Sequence, residues 1–277
     1  ASYSRWQAPA LLGAALTAGL MGFWAVQLGR AILEPCRDAD AALLSSQPDV
    51  SARFDATAAS FDADVALSEF LMGVHRLRRA LLRPPRCHGH VLEVSCGTGR
   101  NAAYYDVGPA SAVDSLTFVD LSPAMVAQCK RKWRALRPRA VKPGLPVRFL
   151  ASSALDPLPP PPGARKYDTI VQTMGLRGTP APAAPLAHLA RHLDTASPDA
   201  RILLLEHGRS YLPWLNRVLD NAAPAHARRH GCWNNRDVGA LVAEVAEKHG
   251  LTVVAERRLH LGTTWVFELR PALLAED

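Results

Sequence analysis

Val91-Leu92-Glu93-Val94-Ser95-Cys96-Gly97-Thr98-Gly99-Arg100-Asn101 begins as a short apolar strand and continues into a tight turn with two glycines. We expect a helix to begin directly after this turn, near Arg100. Glycine is favoured where the backbone must take a positive φ or pass close to a ligand. A strand, a glycine turn and a helix in this order form a cofactor cleft at the carboxyl edge of an α/β sheet.

A second strand, at 116–120, ends in Asp120, which follows Gly99 by 21 residues. At that distance a carboxylate can reach the ribose hydroxyls of a nucleotide-like ligand. A dinucleotide would require its pyrophosphate to sit near Glu93, where the two negative charges repel each other. S-adenosylmethionine (SAM) has no phosphate and carries cationic amino and sulfonium groups. The acid in the first strand therefore favours SAM over a dinucleotide.

Beyond the glycine turn the predicted strands and helices alternate. This order predicts a parallel sheet with helices on both faces, to which a final hairpin adds an antiparallel edge strand. Before the turn, apolar residues spaced for one face predict a single helix over 65–82. The predicted helices further along are 123–136, 182–193, 211–226 and 236–249, and the strands are 116–120, 147–150, 167–172, 201–206, 251–260 and 263–269.

Length and composition limit the class of protein. The 277 residues, 48% of them hydrophobic, suffice for one large domain, and the net charge of +7 suggests an anionic partner surface. Five scattered cysteines without a C-x-x-C pair indicate a reducing compartment. The run Cys87-His88-Gly89-His90 is more typical of a loop than of a metal site, so we expect no metal.

The N-terminal residues 8–28 contain no charged side chain. At helical rise they span about 31 Å, near the thickness of the bilayer core, and predict a single transmembrane anchor. Ala14, Ala18 and Gly22 form a small-residue stripe on which another transmembrane helix could pack. The chain begins with Ala1, which suggests either a removed presequence or a trimmed chain.

Several blocks together indicate a family. Residues 93–101 resemble the first motif of class I SAM-dependent methyltransferases, and Asp120-Leu121-Ser122-Pro123-Ala124-Met125 resembles the run after strand two in the ubiquinone C-methyltransferase group. Glu69, Gly73, Arg78-Arg79, residues 203–210, 231–237 and 262–265 extend the resemblance to the fungal mitochondrial inner-membrane methyltransferase-like (Oms-type) family. The resemblance implies a Rossmann-like class I methyltransferase fold with a mostly parallel seven-stranded sheet. We divide the chain into an anchor at 1–30, a linker at 31–64 and a SAM-dependent methyltransferase domain at 65–277.

The resemblance and the strand ends also imply site residues. His207, just past the fifth strand, is our candidate catalytic base, although a satisfied structural histidine is the commoner case. His230 or the loop 232–235 could line the pocket for the methyl acceptor. The residues expected to bind SAM are Glu93, Ser95, Gly97, Gly99, Asn101, Asp120, Leu121, Ser153, Ala154, Gln172 and Thr173.

Two functions remain open from the sequence. The first is a membrane-anchored mitochondrial methyltransferase with an unknown methyl acceptor, single-pass in the inner membrane and facing the matrix. The second is a non-enzymatic structural or assembly subunit of a mitochondrial membrane complex, respiratory or ribosome-associated. It is favoured by Ser152-Ser153-Ala154, which stand where an acid often contacts the adenine.

A basic cluster lies at 130–142. We interpret it either as a solvated helix face or as a surface for RNA or anionic lipid. Its members are Lys130, Arg131, Lys132, Arg134, Arg137, Arg139 and Lys142, with Trp133 among them.

Overall fold

The computed structural model describes residues 7–33, 52–136 and 141–272. Seven strands form one sheet in the order β3-β2-β1-β4-β5-β7-β6, and every pairing among the first five is parallel. The strands are β1 (Gly89–Val94), β2 (Val113–Asp120), β3 (Val147–Ala151), β4 (Thr169–Thr173), β5 (Arg201–His207), β6 (Leu251–Leu259) and β7 (Thr264–Pro271). The predicted α/β class and the mostly parallel seven-stranded sheet are confirmed.

Helices cover both faces of the sheet. Successive residues of a strand point to opposite faces, so an apolar strand contributes to a core on each side. In β5, Ile202 and Leu204 join one apolar core, whereas Leu203 and Leu205 join the other. The helices are α1 (Gln7–Leu33), α2 (Ala52–Thr57), α3 (Phe61–Leu71), α4 (Val74–Leu82), α5 (Pro123–Leu136), α6 (Ala183–His192), α7 (Pro213–His230) and α8 (Val238–Lys248).

The final hairpin differs from its prediction. β7 pairs with β5 on one side and with β6 on the other, and both pairings are antiparallel. The antiparallel strand is therefore an interior strand, and the edge position belongs to β6. Hairpin pairing alone does not determine which of its two strands meets the rest of the sheet.

Two helix predictions were also wrong. After Gly97 the chain forms successive turns, with bonds such as Gly99 N to Cys96 O and Ala102 N to Gly99 O. These span three residues and do not continue as an α-helix. The helix predicted over 65–82 is divided at Gly73, whose φ of 62° lies in the left-handed region that favours glycine.

The N-terminal segment is helical as predicted, but it differs from the prediction in another respect. α1 contacts α7 of the α/β unit. Within the three described ranges, no helix meets the length and apolarity needed to cross a membrane, so the predicted transmembrane span is not confirmed. The predicted linker contains α2 and the start of α3, and its residues 34–51 lie outside the described part of the chain.

Candidate functional site

The turn after β1 is bonded directly to the end of β2. The backbone N–H of Gly97 donates to Oδ2 of Asp120 at 2.8 Å, and the N–H of Ser122 donates to Oδ1 at 3.0 Å. Burial raises the pKa of Asp120, with a further contribution from the charge of Asp55 on α2. The Asp120 carboxylate is thus fixed in place beside the glycine turn, and it remains partly exposed.

The two predicted glycines of the turn have different roles. Both have positive φ, 52° at Gly97 and 76° at Gly99. A Cβ on Gly97 would have no described heavy atom within 4 Å, so open space adjoins this residue. A Cβ on Gly99 would lie 2.7 Å from Sγ and 3.1 Å from Cα of Cys129 on α5. Gly97 therefore borders a place where a ligand can approach, whereas Gly99 allows α5 to pack closely.

Ser95 has the backbone geometry of a glycine. Its φ is 54°, in the left-handed region that costs an ordinary residue about 1–2 kcal/mol. Its side chain packs against Gly175 after β4, where an added Cβ would lie 2.5 Å from the Ser95 Cβ. The strained turn is therefore held by close contact between the ends of β1 and β4.

Glu93 lies behind the turn and is only 2% exposed. Tyr105 Oη donates to its Oε2 at 2.5 Å, and Asn101 Nδ2 donates to its Oε1 at 3.1 Å. Burial raises the pKa of Glu93 to about 7, although these bonds and Arg78 lower it. Glu93 and Asn101 thus form one buried unit, and the Glu93 carboxyl supports the edge of the cleft from behind.

Arg78 on α4 belongs to this unit, and the predicted site did not include it. Its Nη1 donates to Asn101 Oδ1 at 2.9 Å and to Thr173 Oγ1 at 2.8 Å, and its Nη2 meets Glu69 Oε1 at 2.9 Å. The side chain joins the glycine turn to the end of β4 while only 4% exposed. A signal was present in the sequence, since Arg78 belongs to one of the blocks that carry the family resemblance.

Helix α3 is held onto the glycine turn by ion pairs. Arg100 meets Glu69 at 2.6 Å and Asp62 at 3.0 Å, and Lys132 meets Asp62 at 2.5 Å. Thr98 Oγ1 also donates to Asp62 at 2.6 Å. The acids of α3 therefore neutralise cations on both sides of the turn. Burial alone would raise the pKa of Asp62 and of Glu69, but these partners lower both values overall.

The ends of β4 and β3 complete the edge. Gln172 is buried, and its Oε1 has no hydrogen-bond partner in the described part of the chain. Ser153 lies in a turn after β3, where Asp156 accepts from its backbone N–H at 2.8 Å. Ala154 is half-buried beside it, and Leu121, after β2, is 54% exposed. An acid thus follows β3 after all, three residues beyond Ser153, where it orders this turn.

His207 is engaged in the final hairpin. Its Nδ1 lies 3.0 Å from Thr264 Oγ1, which in turn lies 2.9 Å from His260 Nδ1. Burial and the charge of Arg177 lower the pKa of His207 to about 3, which keeps the ring neutral at physiological pH. The predicted base is therefore a weak one, and its Nδ1 is already engaged with Thr264.

Glu206, the residue before it, is fully buried. Its Oε1 accepts from the backbone N–H groups of Gly175 at 2.8 Å and Leu176 at 2.9 Å. Its Oε2 has no partner among the described residues, and burial raises the pKa of Glu206 to about 7. Glu206 therefore fixes the loop after β4, a role that the sequence pattern did not reveal.

The predicted acceptor side lies at the end of α7. The rings of His226 and His230 are 4.6 Å apart, and Cys232 Sγ lies 3.4 Å from His226 Nε2. Burial and Arg177 lower the pKa of His226 to about 4. Buried unpaired atoms follow in the next loop, at Trp233 Nε1 and Asn234 Oδ1. The polar atoms of this loop are therefore buried and unpaired in the described part of the chain.

The basic cluster is only partly free. Lys132 pairs with Asp62, Lys142 meets Asp114 at 3.4 Å, and Trp133 is buried against Phe118. Trp133 is thus a core residue and not an exposed aromatic. The exposed cations on the described part of α5 are Lys130, Arg131 and Arg134, whereas Arg137 and Arg139 lie outside the described residues.

The side chains of residues 87–90 have separate surroundings. His90 Nδ1 lies 2.9 Å from Ser115 Oγ, and Cys87 is buried, which raises the pKa of its thiol. No group of three or more histidine, cysteine or acidic side chains in the described ranges is arranged to hold a metal.

Two described cavities lie away from the carboxyl edge. One, of about 370 Å³, is lined by arginines and Glu268 near the starts of β1 and β5. We place the functional site at the carboxyl edge nevertheless, because the glycine turn, the fixed Asp120 and the open space beside Gly97 all meet there.

Known proteins resemble this chain in sequence or in fold. A family model described as a methyltransferase domain matches residues 67–256. The chain is 36% identical over 212 residues to "Methyltransferase OMS1, mitochondrial" of Saccharomyces cerevisiae, a match covering 74% of this chain and 42% of the yeast protein. The chain therefore spans less than half the length of that relative.

Solved structures resemble the fold at low sequence identity. A putative methyltransferase in complex with the Haloferax volcanii Trm112 activator has a TM-score of 0.57 at 18% identity, covering 82% of this chain and 100% of that one. The O-methyltransferase NcsB1 of neocarzinostatin biosynthesis, in complex with SAM and a naphthoic acid, has 0.51 at 18%, covering 78% and 57%. The [4+2]-cyclase SpnF has 0.52 at 14%, covering 72% and 81%. One fold thus carries different reactions.

Proposed function

Since the chain belongs to the methyltransferase domain family, we propose that it is a SAM-dependent methyltransferase that binds SAM at the carboxyl edge of β1, β2 and β4. The observation that carries this proposal is the bond from Gly97 N to Asp120 Oδ2, with open space beside Gly97. It places a fixed, partly exposed carboxylate next to a backbone that a ligand can approach.

When bound, SAM supplies an electrophilic methyl group on a sulfonium, and the protein's task is mainly to hold the two reactants in line. Asp120 would accept hydrogen bonds from the ribose hydroxyls. The unpaired Oε1 of Gln172 offers an acceptor to a cationic or N–H group. The unit of Arg78, Asn101 and Thr173 keeps the ends of β1 and β4 at a constant separation.

The role of His207 as a base is a separate proposal. Its neutral ring would accept a proton from the methyl acceptor, and its pKa of about 3 makes it a weak base for that step. We would measure turnover of His207→Ala from pH 6 to 9 with the acceptor in hand. Unchanged turnover would remove His207 from the mechanism and leave it as a hairpin residue.

We place this methyltransferase at a mitochondrial membrane, attached through α1, with the domain facing the matrix. The similarity to the mitochondrial yeast protein supports the organelle. Attachment is supported by the large apolar side chains of α1, which are 55–69% exposed: Leu11, Leu12, Leu16, Leu20, Met21, Phe23, Trp24 and Val26. Such a surface needs lipid or a partner helix to cover it.

The exposed cations of α5 would add a contact with RNA or acidic lipid, since Lys130, Arg131 and Arg134 form one side of that helix. A gel-shift titration with mitochondrial RNA and a separate binding titration with lipid vesicles would distinguish the two. The controls replace these three cations with Gln, which removes their charge.

A second candidate is a non-enzymatic subunit of a mitochondrial membrane complex. It is favoured by the acids of the chain that already contact the SAM-binding edge. Asp55 accepts from Ser122 Oγ at 2.5 Å, and Asp62 and Glu69 pair with Arg100. In this candidate the edge is permanently closed by α2 and α3.

Calorimetric titration of the full chain with SAM separates the two candidates. The enzyme proposal expects saturable binding, weakened by Asp120→Ala and little changed by Asp114→Ala, an exposed acid on the same strand. An intact fold that shows no heat of binding at millimolar SAM would support the subunit instead.

A further inference from the structure

Helix α3 presents an apolar ridge to the outside of the molecule. Leu67, Phe70 and Leu71 are 69%, 69% and 73% exposed. They occupy one side of the helix, because residues three and four apart share a face. Val74 and Leu81 continue the same apolar spacing on the next helix, and both are buried. The turn at Gly73 separates the exposed part from the buried part.

The opposite side of α3 is already used. Asp62 and Glu69 bind Arg100, Arg78 and Lys132 around the glycine turn. The helix therefore cannot rotate to bury its ridge without breaking these ion pairs. A ridge that is exposed by such constraints is a contact surface for something outside the domain.

The charges beside the ridge identify the kind of surface that fits. His75 on the following helix stacks on Phe70 with ring centroids 5.8 Å apart. The exposed Arg76, Arg79 and Arg83 lie on that helix and directly after it, and the guanidinium of Arg79 is 5.8 Å from the ring centroid of Tyr104. The exposed acid on this side, Asp64, accepts from Ser60 Oγ at 2.9 Å. Apolar side chains bordered by arginines match a bilayer surface with acidic headgroups.

We propose that the α3 ridge, formed by Leu67, Phe70 and Leu71, docks on the acidic surface of a lipid bilayer. This inference rests on the proposed membrane attachment through α1. Because the acid side of α3 pairs with Arg100 of the glycine turn, docking of the opposite side would place that turn about one helix diameter, roughly 10 Å, from the headgroups. A methyl acceptor dissolved in the membrane would then have a short path to the proposed SAM-binding edge.

The test uses environment-sensitive labels on the full chain reconstituted with vesicles of phosphatidylcholine and acidic phospholipid. Cys36, which lies outside the described residues, is changed to Ser, and the four described cysteines are buried and protected from labelling. Single cysteines are then introduced as Phe70→Cys on the ridge, Ala18→Cys on α1 and Val254→Cys on β6, which is 49% exposed. Bromine-labelled lipids quench a fluorophore that reaches the acyl region.

We expect quenching at positions 70 and 18 and none at position 254. Quenching at 18 without quenching at 70 would overturn the docking of α3 and leave membrane attachment intact. An unquenched label at 18 would overturn the proposed attachment, and with it the docking.

The contribution of charge is tested with Arg76→Gln combined with Arg79→Gln. This variant should reduce quenching at position 70, and so should omission of the acidic lipid or added salt, because screening weakens exposed charges. Quenching at 70 that is insensitive to all three changes would contradict recognition of acidic headgroups. SAM titration of the same samples reports the cofactor site independently.

Discussion

Gly97 donates its backbone N–H to Oδ2 of Asp120 at 2.8 Å, so the turn after β1 is joined to the end of β2 by a bond to a partly buried carboxylate. The other carboxylate oxygen receives the N–H of Ser122. Losing the carboxylate would leave two backbone donors without their acceptor and would free the turn from the neighbouring strand.

We therefore expect Asp120→Ala to lower the free energy of unfolding by about 1–3 kcal/mol, the cost of leaving partly buried donors unsatisfied. It should also weaken the affinity for SAM at least about tenfold, which corresponds to about 1.4 kcal/mol of binding free energy. Asp120→Asn retains one acceptor oxygen and should lose less stability. Denaturant unfolding and calorimetry measure the two effects, and equal losses in both variants would contradict the bonding described.

Alanine substitutions at the two glycines of the turn should affect SAM binding and stability to different extents. Gly97→Ala should lower the free energy of unfolding by about 1–2 kcal/mol, because Gly97 has a positive φ. It should also weaken SAM binding, because the added methyl group enters the open space. Gly99→Ala should cost about 1–3 kcal/mol more, since its Cβ would overlap Cys129. Thermal unfolding and SAM titration of the pair provide the measurement, with each variant acting as the other's control.

Glu206 should make the protein less stable as pH rises through the acid range. Its pKa is raised from 4.5 to about 7, so between these values the folded state binds more protons than the unfolded state. Its contribution is therefore greatest below about pH 4.5, falls toward pH 7 and is constant above. Glu206→Gln keeps Oε1 as acceptor and should be more stable than wild type at pH 8 by on the order of 1–3 kcal/mol.

The matched control for this effect is Glu206→Ala, which removes the acceptor for Gly175 and Leu176 and should destabilise at every pH. Unfolding curves from pH 5 to 8 measure both variants. If Glu206→Gln retained the full pH slope of wild type, another group would be responsible for it.

Arg78 should be among the residues most sensitive to substitution. Its side chain is 4% exposed and bonds Asn101, Thr173 and Glu69, so Arg78→Met leaves several buried polar groups unpaired. We expect a loss of about 3–5 kcal/mol in the free energy of unfolding. The neighbouring exposed Arg76→Met should change it by less than about 0.5 kcal/mol. Urea unfolding compares them, and similar losses would argue against the buried network.

Much of the fold could be predicted because it follows from local pattern. The apolar runs of β1 and β2, the glycines and the position of Asp120 each indicate structure within a few residues. The strand order around β7 could not be predicted, because it depends on pairing between distant segments. The break at Gly73 was missed for a different reason, since the apolar periodicity continues through it.

The predicted set of site residues includes Gly97 and Asp120, which the structure joins by a hydrogen bond. This set did not include buried side chains that contact each other although they are far apart in the sequence. Arg78 and Thr173 are 95 residues apart, and Glu206 reaches Gly175 from the next strand. Such contacts carry no local signature, because an arginine or glutamate has the same periodicity whether it faces water or a buried partner.

The interior position of β7 has a consequence for how the protein is made. In the described sheet, β5 and β6 are joined through β7, which is synthesised after both of them. Until residues 264–271 have emerged from the ribosome, or from a translocation channel, β5 exposes an unpaired edge with a run of buried leucines. We therefore expect a fragment that ends before residue 264 to leave this edge of β5 unpaired and to be prone to aggregation.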